Sequence, residues 1–202
     1  RTGNRFGNFQ AVDHMAHDGL VNAYDGKAMG EFAESAVDKY QFTREEQDAY
    51  AIESVRRAQA AQANGAFADE IVAVTVSGRK GEVQISTDEQ PTRADVAKIP
   101  TLRPAFKKDG SVTAASSSSI SDGAAAVVLL GEDDATARGL QPLARIVGHA
   151  THSQAPEWFT TAPIGAIHAL LERTGWTLDS VDLFEINEAF AVVAMAPMRE
   201  LG

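Results

Sequence analysis

The sequence predicts an α/β fold of layered helices and strands, and three observations predict it. An apolar run, Asp182-Leu183-Phe184-Glu185-Ile186, ends on Asn187-Glu188 and passes at once through Ala189-Phe190-Ala191 into a small-residue helical run over 191–198. A helix pattern precedes it, with Pro163 at its start and Ile164, Ile167, Ala169, Leu170 and Leu171 on one face. Gly175 is its stop. Leu143-Ala144-Arg145-Ile146-Val147-Gly148 reads as the strand before that helix. Together these segments make a β-α-β-α unit, which implies a parallel pair with a right-handed crossover. Such sheets open a ligand crevice where strand carboxyl ends meet helix N-termini. Asn187 stands at that corner as a donor and acceptor fit to orient a water or a carbonyl. It also suits a plain helix cap.

The remaining elements follow in order. Residues 1–20 have a Gly-rich start, then Phe6, Phe9, Val12, Met15 and Leu20 at roughly helical spacing. Tyr24-Asp25-Gly26-Lys27 reads as a turn, and Gly30 leads into a short helix over 31–40. Thr43-Arg44-Glu45-Glu46 has capping-box spacing and opens a longer helix that Asn64-Gly65 closes. On it, Tyr50, Ile52 and Val55 read as core rather than site. Residues 70–76 alternate as a strand, and Gly78-Arg79-Lys80-Gly81 turns into a second one at 83–85. The Pro- and charge-rich stretch 88–110 is too long for a simple connection and suits a binding loop. Residues 124–130 read as a buried strand, and 132–138, stopped by Gly139, as a linking helix.

Composition narrows the function. The chain has 202 residues, with 44% hydrophobic and 23% charged, as in ordinary globular proteins. A formal net charge of −10 disfavours broad nucleic-acid or anionic-membrane binding. A small anionic ligand needs only a local basic fringe. No apolar stretch approaches the roughly 20 residues of a membrane span. With no cysteine in the sequence, disulfides, thiolate metal sites and a Cys nucleophile within this chain are excluded. The chain starts without Met or a signal-peptide h-region, and it stops as a helix finishes. Both ends read as cut, so an internal piece of a longer cytoplasmic protein is expected.

Other clusters have plainer readings. His14 and His17 share a helix face, but nothing nearby completes a metal site, so they read as a surface pair. His149, His152 and His168 read as structural, and no metal is expected. Asp133-Asp134 and Glu45-Glu46 read as solvated helix-start charges. The Ser116-Ser117-Ser118-Ser119 run reads either as a flexible linker or as ligand contact, since small residues let a ligand approach the backbone.

In order along the chain stand Met29-Gly30 with Ala33-Glu34, Leu102-Arg103-Pro104-Ala105-Phe106, and Gly110-Ser111-Val112-Thr113-Ala114. Ser121-Asp122-Gly123-Ala124-Ala125-Ala126 and Asn187-Glu188-Ala189-Phe190-Ala191 follow. This ordered set resembles the thiolases, acyl-CoA acyltransferases that form or cleave 3-ketoacyl-CoA, and the likeness runs along nearly the whole chain. It implies an incomplete thiolase-like layered fold. Residues 1–110 would form the CoA-covering loop domain, and 111–140 the last strand of the N-terminal half with a linker helix. Residues 141–202 would open the C-terminal half.

The resemblance further implies that Asn187 positions the catalytic water and oxyanion partners. The nucleophilic Cys would lie upstream of this piece, and the His of a Gly-His-Pro motif and a second Cys downstream. The chain alone is therefore expected to be inactive. CoA contacts carry over to Leu20, Met29, Phe106, Ala114, Ser118, Ile120, Ala189 and Phe190, with Ser118 bonding the pantetheine amide. Arg93 lies near the position of an adenine-flanking Arg, about one residue out of register. CoA and acyl-CoA would be substrates, with no further cofactor, in fatty-acid metabolism. A homo-oligomer, dimer or tetramer, is implied. Ala28 departs from the His common before Met-Gly in biosynthetic members, which bears on strict acetoacetyl-CoA synthesis. Two other readings are a non-catalytic CoA- or lipid-binding module of the same fold, and a ketoacyl-synthase relative. The latter family lacks the Asn-Glu-Ala-Phe-Ala context.

Overall fold

The computed structural model describes residue 3 and residues 6–202, so residues 1, 2, 4 and 5 of the Gly-rich start lie outside the described residues. A single π-helical turn, Ala16–Leu20, precedes helices α1 (Met29–Tyr40) and α2 (Arg44–Ala63). Strands β1 (Val74–Gly78) and β2 (Gly81–Ile85) come next, then α3 (Glu89–Arg93), α4 (Glu132–Ala137), α5 (Ala162–Thr174) and α6 (Ala191–Leu201). Short 3-10 helices cover Val96–Thr101, Pro156–Thr161 and Leu178–Ser180.

Local chemistry explains the helix boundaries. At α2 the capping box is complete. Thr43 Oγ1 accepts from the Glu46 N–H at 3.1 Å, and the Glu46 carboxylate accepts from the Thr43 N–H at 2.7 Å. At α1 only half of that device exists: Ala28 has no side-chain acceptor, while Glu31 accepts from the Ala28 N–H at 3.0 Å. Helix α5 carries Pro163 in its first turn and ends at Gly175, whose N–H donates to Leu171 O.

The core lies between α1 and α6. Ala33, Ala36 and Val37 of α1 meet Val192, Val193 and Ala196 of α6, with Phe42, Val112 and Phe190 closing the cluster. Alanines at the contact let the two helix backbones approach closely. Arg199 secures the far end of α6, with its guanidinium 4.0 Å from the Phe42 ring centre and 3.3 Å from Glu46.

A buried carboxylate organises the turn that enters the core. Glu34, 3% exposed, accepts from the Ser111 N–H at 2.8 Å, the Val112 N–H at 2.9 Å and Ser111 Oγ at 3.3 Å. A Cβ at position 110 would stand 2.1 Å from Glu34 Oε1, so only glycine admits the carboxylate there. The buried Gln47 amide reinforces the same turn through Ser111 Oγ at 2.9 Å.

Several expectations need correction. Residues 124–130, 143–148 and 182–186 are not sheet strands, and no backbone pairs with them among the described residues. Most of their apolar side chains are exposed rather than buried, Val128 at 88% and Leu183 at 84%, while Ile186 is half-buried against the core cluster. An extended segment becomes a strand only when a neighbour satisfies its N–H and C=O groups. Among the described residues the parallel pair of the expected β-α-β-α unit is therefore not formed, while its two helices are. The sheet that does form is β1–β2, antiparallel, with Val74 opposite Ile85 and Val76 opposite Val83. It starts at 74 rather than 70 because the chain keeps turning, with the Glu70 and Ile71 N–H groups both bonded to Phe67 O. Residues 6–13 make no amphipathic helix, the chain turns helical only at 14–15 before the π turn, and Phe6 and Phe9 are exposed. The stretch 88–110 holds two short helical pieces rather than an irregular loop. Among the described residues no helix is long and apolar enough to cross a membrane.

Replacing Glu34 with Ala should destabilise the fold by about 2–6 kcal/mol, since the Ser111 and Val112 N–H donors lose their acceptor at roughly 1–3 kcal/mol each. Urea denaturation of both proteins would measure it.

Candidate functional site

The Ser run and the Asn187 motif meet through their backbones. The Ser118 N–H donates to Ala189 O and the Ala191 N–H to Ser116 O, both at 2.9 Å, in an antiparallel bridge between Ser117 and Phe190. The run is no flexible linker. Buried Thr113 and Ser116 bond to each other's backbone: the Thr113 N–H donates to Ser116 Oγ at 2.9 Å, and the Ser116 N–H to Thr113 Oγ1 at 3.3 Å. Ser117 Oγ donates to Thr113 O at 2.6 Å. The hydroxyls of Thr113, Ser116 and Ser117 are thus engaged in building the turn, while Ser118 stays exposed.

An aromatic pair closes one side. Phe106 and Phe190 meet edge to face with ring centres 5.8 Å apart. Gly30 makes that possible, because a Cβ there would stand 2.2 Å from Phe106 Cγ. Met29 and Ala189 pack against the core cluster that contains Phe190. The structure thus gathers Met29, Phe106, Ser118, Ala189 and Phe190 into one neighbourhood, with Ala114 exposed in the adjoining turn. Leu20, 39% exposed, and Ile120, 68% exposed, lie outside the packed core. Arg93 ends α3, paired with Glu89 and exposed.

Asn187 does not cap α6. The N-cap is Phe190, and it makes no side-chain cap bond. The Asn187 side chain is exposed, and among the described residues nothing hydrogen-bonds its amide. The neighbouring residue is tied down instead. Glu188 accepts from the Tyr50 hydroxyl at 3.0 Å and from Ser54 Oγ at 2.9 Å. Tyr50, read from the sequence as core, is half-buried and belongs to the surroundings of the motif. Only its spacing of one helical turn from Ser54 hinted at this. Burial, then the Glu188 charge and its hydrogen bond, push the Tyr50 phenol up to about 12.

A cavity of about 220 Å³ lies between α2 and the Ser turn, lined by Tyr50, Ser54, Ser116, Ser117, Ser118 and Glu188 among others. A larger cavity, about 600 Å³, lies elsewhere, between the turn at 22–27, α1 and the Pro156–Thr161 helix. Its lining mixes Lys27 and Lys107 with Asp25, Glu31 and Glu157, and no motif residue faces it. The smaller one is the better candidate because the ordered motifs converge there.

The histidines are peripheral. His14 pairs with Asp18 at 3.0 Å on the surface, and the His152 ring packs over Gly165. Among the described residues no group of three or more His, Cys, Asp or Glu is placed to hold a metal ion.

Comparison with known proteins gives a consistent picture. The family model described as thiolase, N-terminal domain, matches residues 1–133, and that described as thiolase, C-terminal domain, matches residues 140–202. A probable acetyl-CoA acetyltransferase of Dictyostelium discoideum is 49% identical over 202 residues, which are 100% of this chain and 49% of the relative. Acetyl-CoA acetyltransferase 1 of Arabidopsis thaliana is 50% identical over 205 residues, again 100% of this chain and 49% of the relative. The chain thus spans about half the length of the curated relatives it matches. A thiolase of Ascaris suum solved in complex with coenzyme A superposes with a TM-score of 0.89 at 42% identity, covering 100% of this chain and 51% of that one.

The Tyr50 shift has a testable sign. Its folded value, about 12, lies above the roughly 10 of an unfolded tyrosine. The stability this contributes is fully present below about pH 10 and is lost as pH rises through about 12. The thermal midpoint of the wild type should therefore fall over that window more steeply than that of Tyr50→Phe, as followed by circular dichroism.

Proposed function

The chain belongs to the thiolase family, and on that premise we propose that the full-length protein is an acyl-CoA C-acyltransferase. It would form or cleave 3-ketoacyl-CoA through an acyl group carried on a cysteine. The bridge between Ser116–Ser118 and Ala189–Ala191 supports this reading most, because it joins the Ser turn to the motif that carries Asn187. The chain itself has no cysteine, so the nucleophile belongs to the remainder of the protein and this piece alone is inactive. Asn187 contributes a neutral amide with free donors and an acceptor, able to orient a water and stabilise charge developing on a thioester oxygen.

In the proposed ligand path, the pantetheine arm of CoA runs over the Ser turn with its amide at Ser118. Met29, Phe106, Ala114, Ala189 and Phe190 supply the apolar wall, and Leu20 and Ile120 its solvent-facing rim. Arg93 would reach the nucleotide end only after releasing Glu89. CoA and acyl-CoA are substrates on this reading, and no cofactor is invoked. The expected cytoplasmic homo-oligomer, dimer or tetramer, and a role in fatty-acid metabolism remain part of the proposal. The relatives named above are acetyltransferases, which favours the catalytic reading over a non-catalytic binding module of the same fold.

In the full-length protein, Asn187→Ala should lower turnover by about 10²–10³-fold, the usual loss for one positioned polar group. Steady-state thiolysis assays would show it, and unchanged turnover would remove Asn187 from the chemistry. Ser118 is exposed, so Ser118→Trp should keep the fold while its bulk blocks CoA. Calorimetry beside a circular-dichroism check tests this. Wild-type affinity in the folded variant would place the CoA path elsewhere.

A further inference from the structure

We infer that Glu188 is a positioning residue: its carboxylate, held by the Tyr50 and Ser54 hydroxyls of α2, fixes the backbone on which Asn187 stands. This rests on the function proposed above.

Tyr50 and Ser54 are one turn apart on α2 and so present their hydroxyls on one face. The two oxygens of Glu188 divide them, Oε1 taking Tyr50 at 3.0 Å and Oε2 taking Ser54 at 2.9 Å. Among the described residues no Lys or Arg pairs with Glu188, although the chain carries 18 of them. A carboxylate that served only as a solvated surface charge would have no need of two neutral donors. Hydroxyls have no long-range pull, but they fix a carboxylate at one distance and direction, and such charge-assisted bonds are the stronger kind.

The position of the clamp gives it consequence. Among the described residues no backbone pairs with 182–186, and Ile186 is the side chain there that packs against the core cluster. On the far side the Ser118–Ala189 bond takes over. Glu188 supplies the polar side-chain anchor one peptide after Asn187, as the packed Ile186 supplies the apolar one before it. Helix α2 lies in the part matching the N-terminal family model, and Glu188 in the part matching the C-terminal one. The clamp therefore registers the covering helix against the motif. Because the Tyr50 phenol titrates only near 12, the donor is intact at neutral pH.

The test compares the wild type, Tyr50→Phe/Ser54→Ala and Glu188→Gln as full-length proteins, each also in an Asn187→Ala background. The Phe and Ala changes keep the packing and delete only hydroxyls. Breaking the clamp should lower kcat about 10–100-fold through misplacement of a reacting group, with KM for acyl-CoA within about twofold. It should add nothing once Asn187 is gone. Hydrogen exchange in the peptide covering 182–190 should speed up in the same variants. Unchanged kcat, or a loss that persists in full in the Asn187→Ala background, would overturn the positioning role, as would unchanged exchange. A wild type without turnover would overturn the proposed function instead, and the exchange measurement would then still decide whether the clamp holds the segment.

Discussion

Two backbone hydrogen bonds, from Ser118 to Ala189 and from Ala191 to Ser116, join regions far apart in sequence, and the rest of the site is arranged around them. A backbone bridge tolerates little error in register, since a slip of one residue would turn Phe190 away from the core. The register is set on one side by the Thr113–Ser116 turn and on the other by the start of α6. Glu34 fixes the turn from beneath by accepting the Ser111 and Val112 N–H groups. Gly110 and Gly30 are required by contact: one admits the Glu34 carboxylate, the other the Phe106 ring. A chain of short-range constraints thus runs from α1 through the Ser turn to α6.

The helices were legible in the sequence because their signals are local. Thr43 and Glu46 cap α2, Pro163 and Gly175 bound α5, and the run after Ala189 becomes α6. The motifs that gather at the site were legible as an ordered set, although no single one is decisive. What periodicity alone could not show was pairing. Residues 124–130 and 143–148 have the composition of strands, but a strand is a relation between two backbones, and no neighbour stands beside them among the described residues. The same limit applies to Tyr50. Its ring fits an apolar helix face, and the destination of its hydroxyl depends on a residue far away in the chain. The helix cap expected as one reading of Asn187 fails for a simple geometric reason: the helix begins too late for its side chain to reach the first free N–H groups.

The chemistry around the motif is mostly neutral. Hydroxyls, backbone amides, small residues and two phenyl rings face the Ser turn, and Glu188 is the charged group nearest Asn187 in sequence. That suits a ligand with a long neutral arm better than a compact anion, for which a cluster of cations would be expected. On the proposed reading, a net charge of −10 is no obstacle to an anionic ligand, because the segment that touches the turn need not be the charged one.

The extended segments carry a consequence of their own. Among the described residues, rows of unpaired N–H and C=O groups flanked by exposed side chains such as Val127, Val128 and Ile146 are open edges, the kind of surface on which an added strand pairs. Whatever covers these edges decides whether the molecule is soluble or sticky.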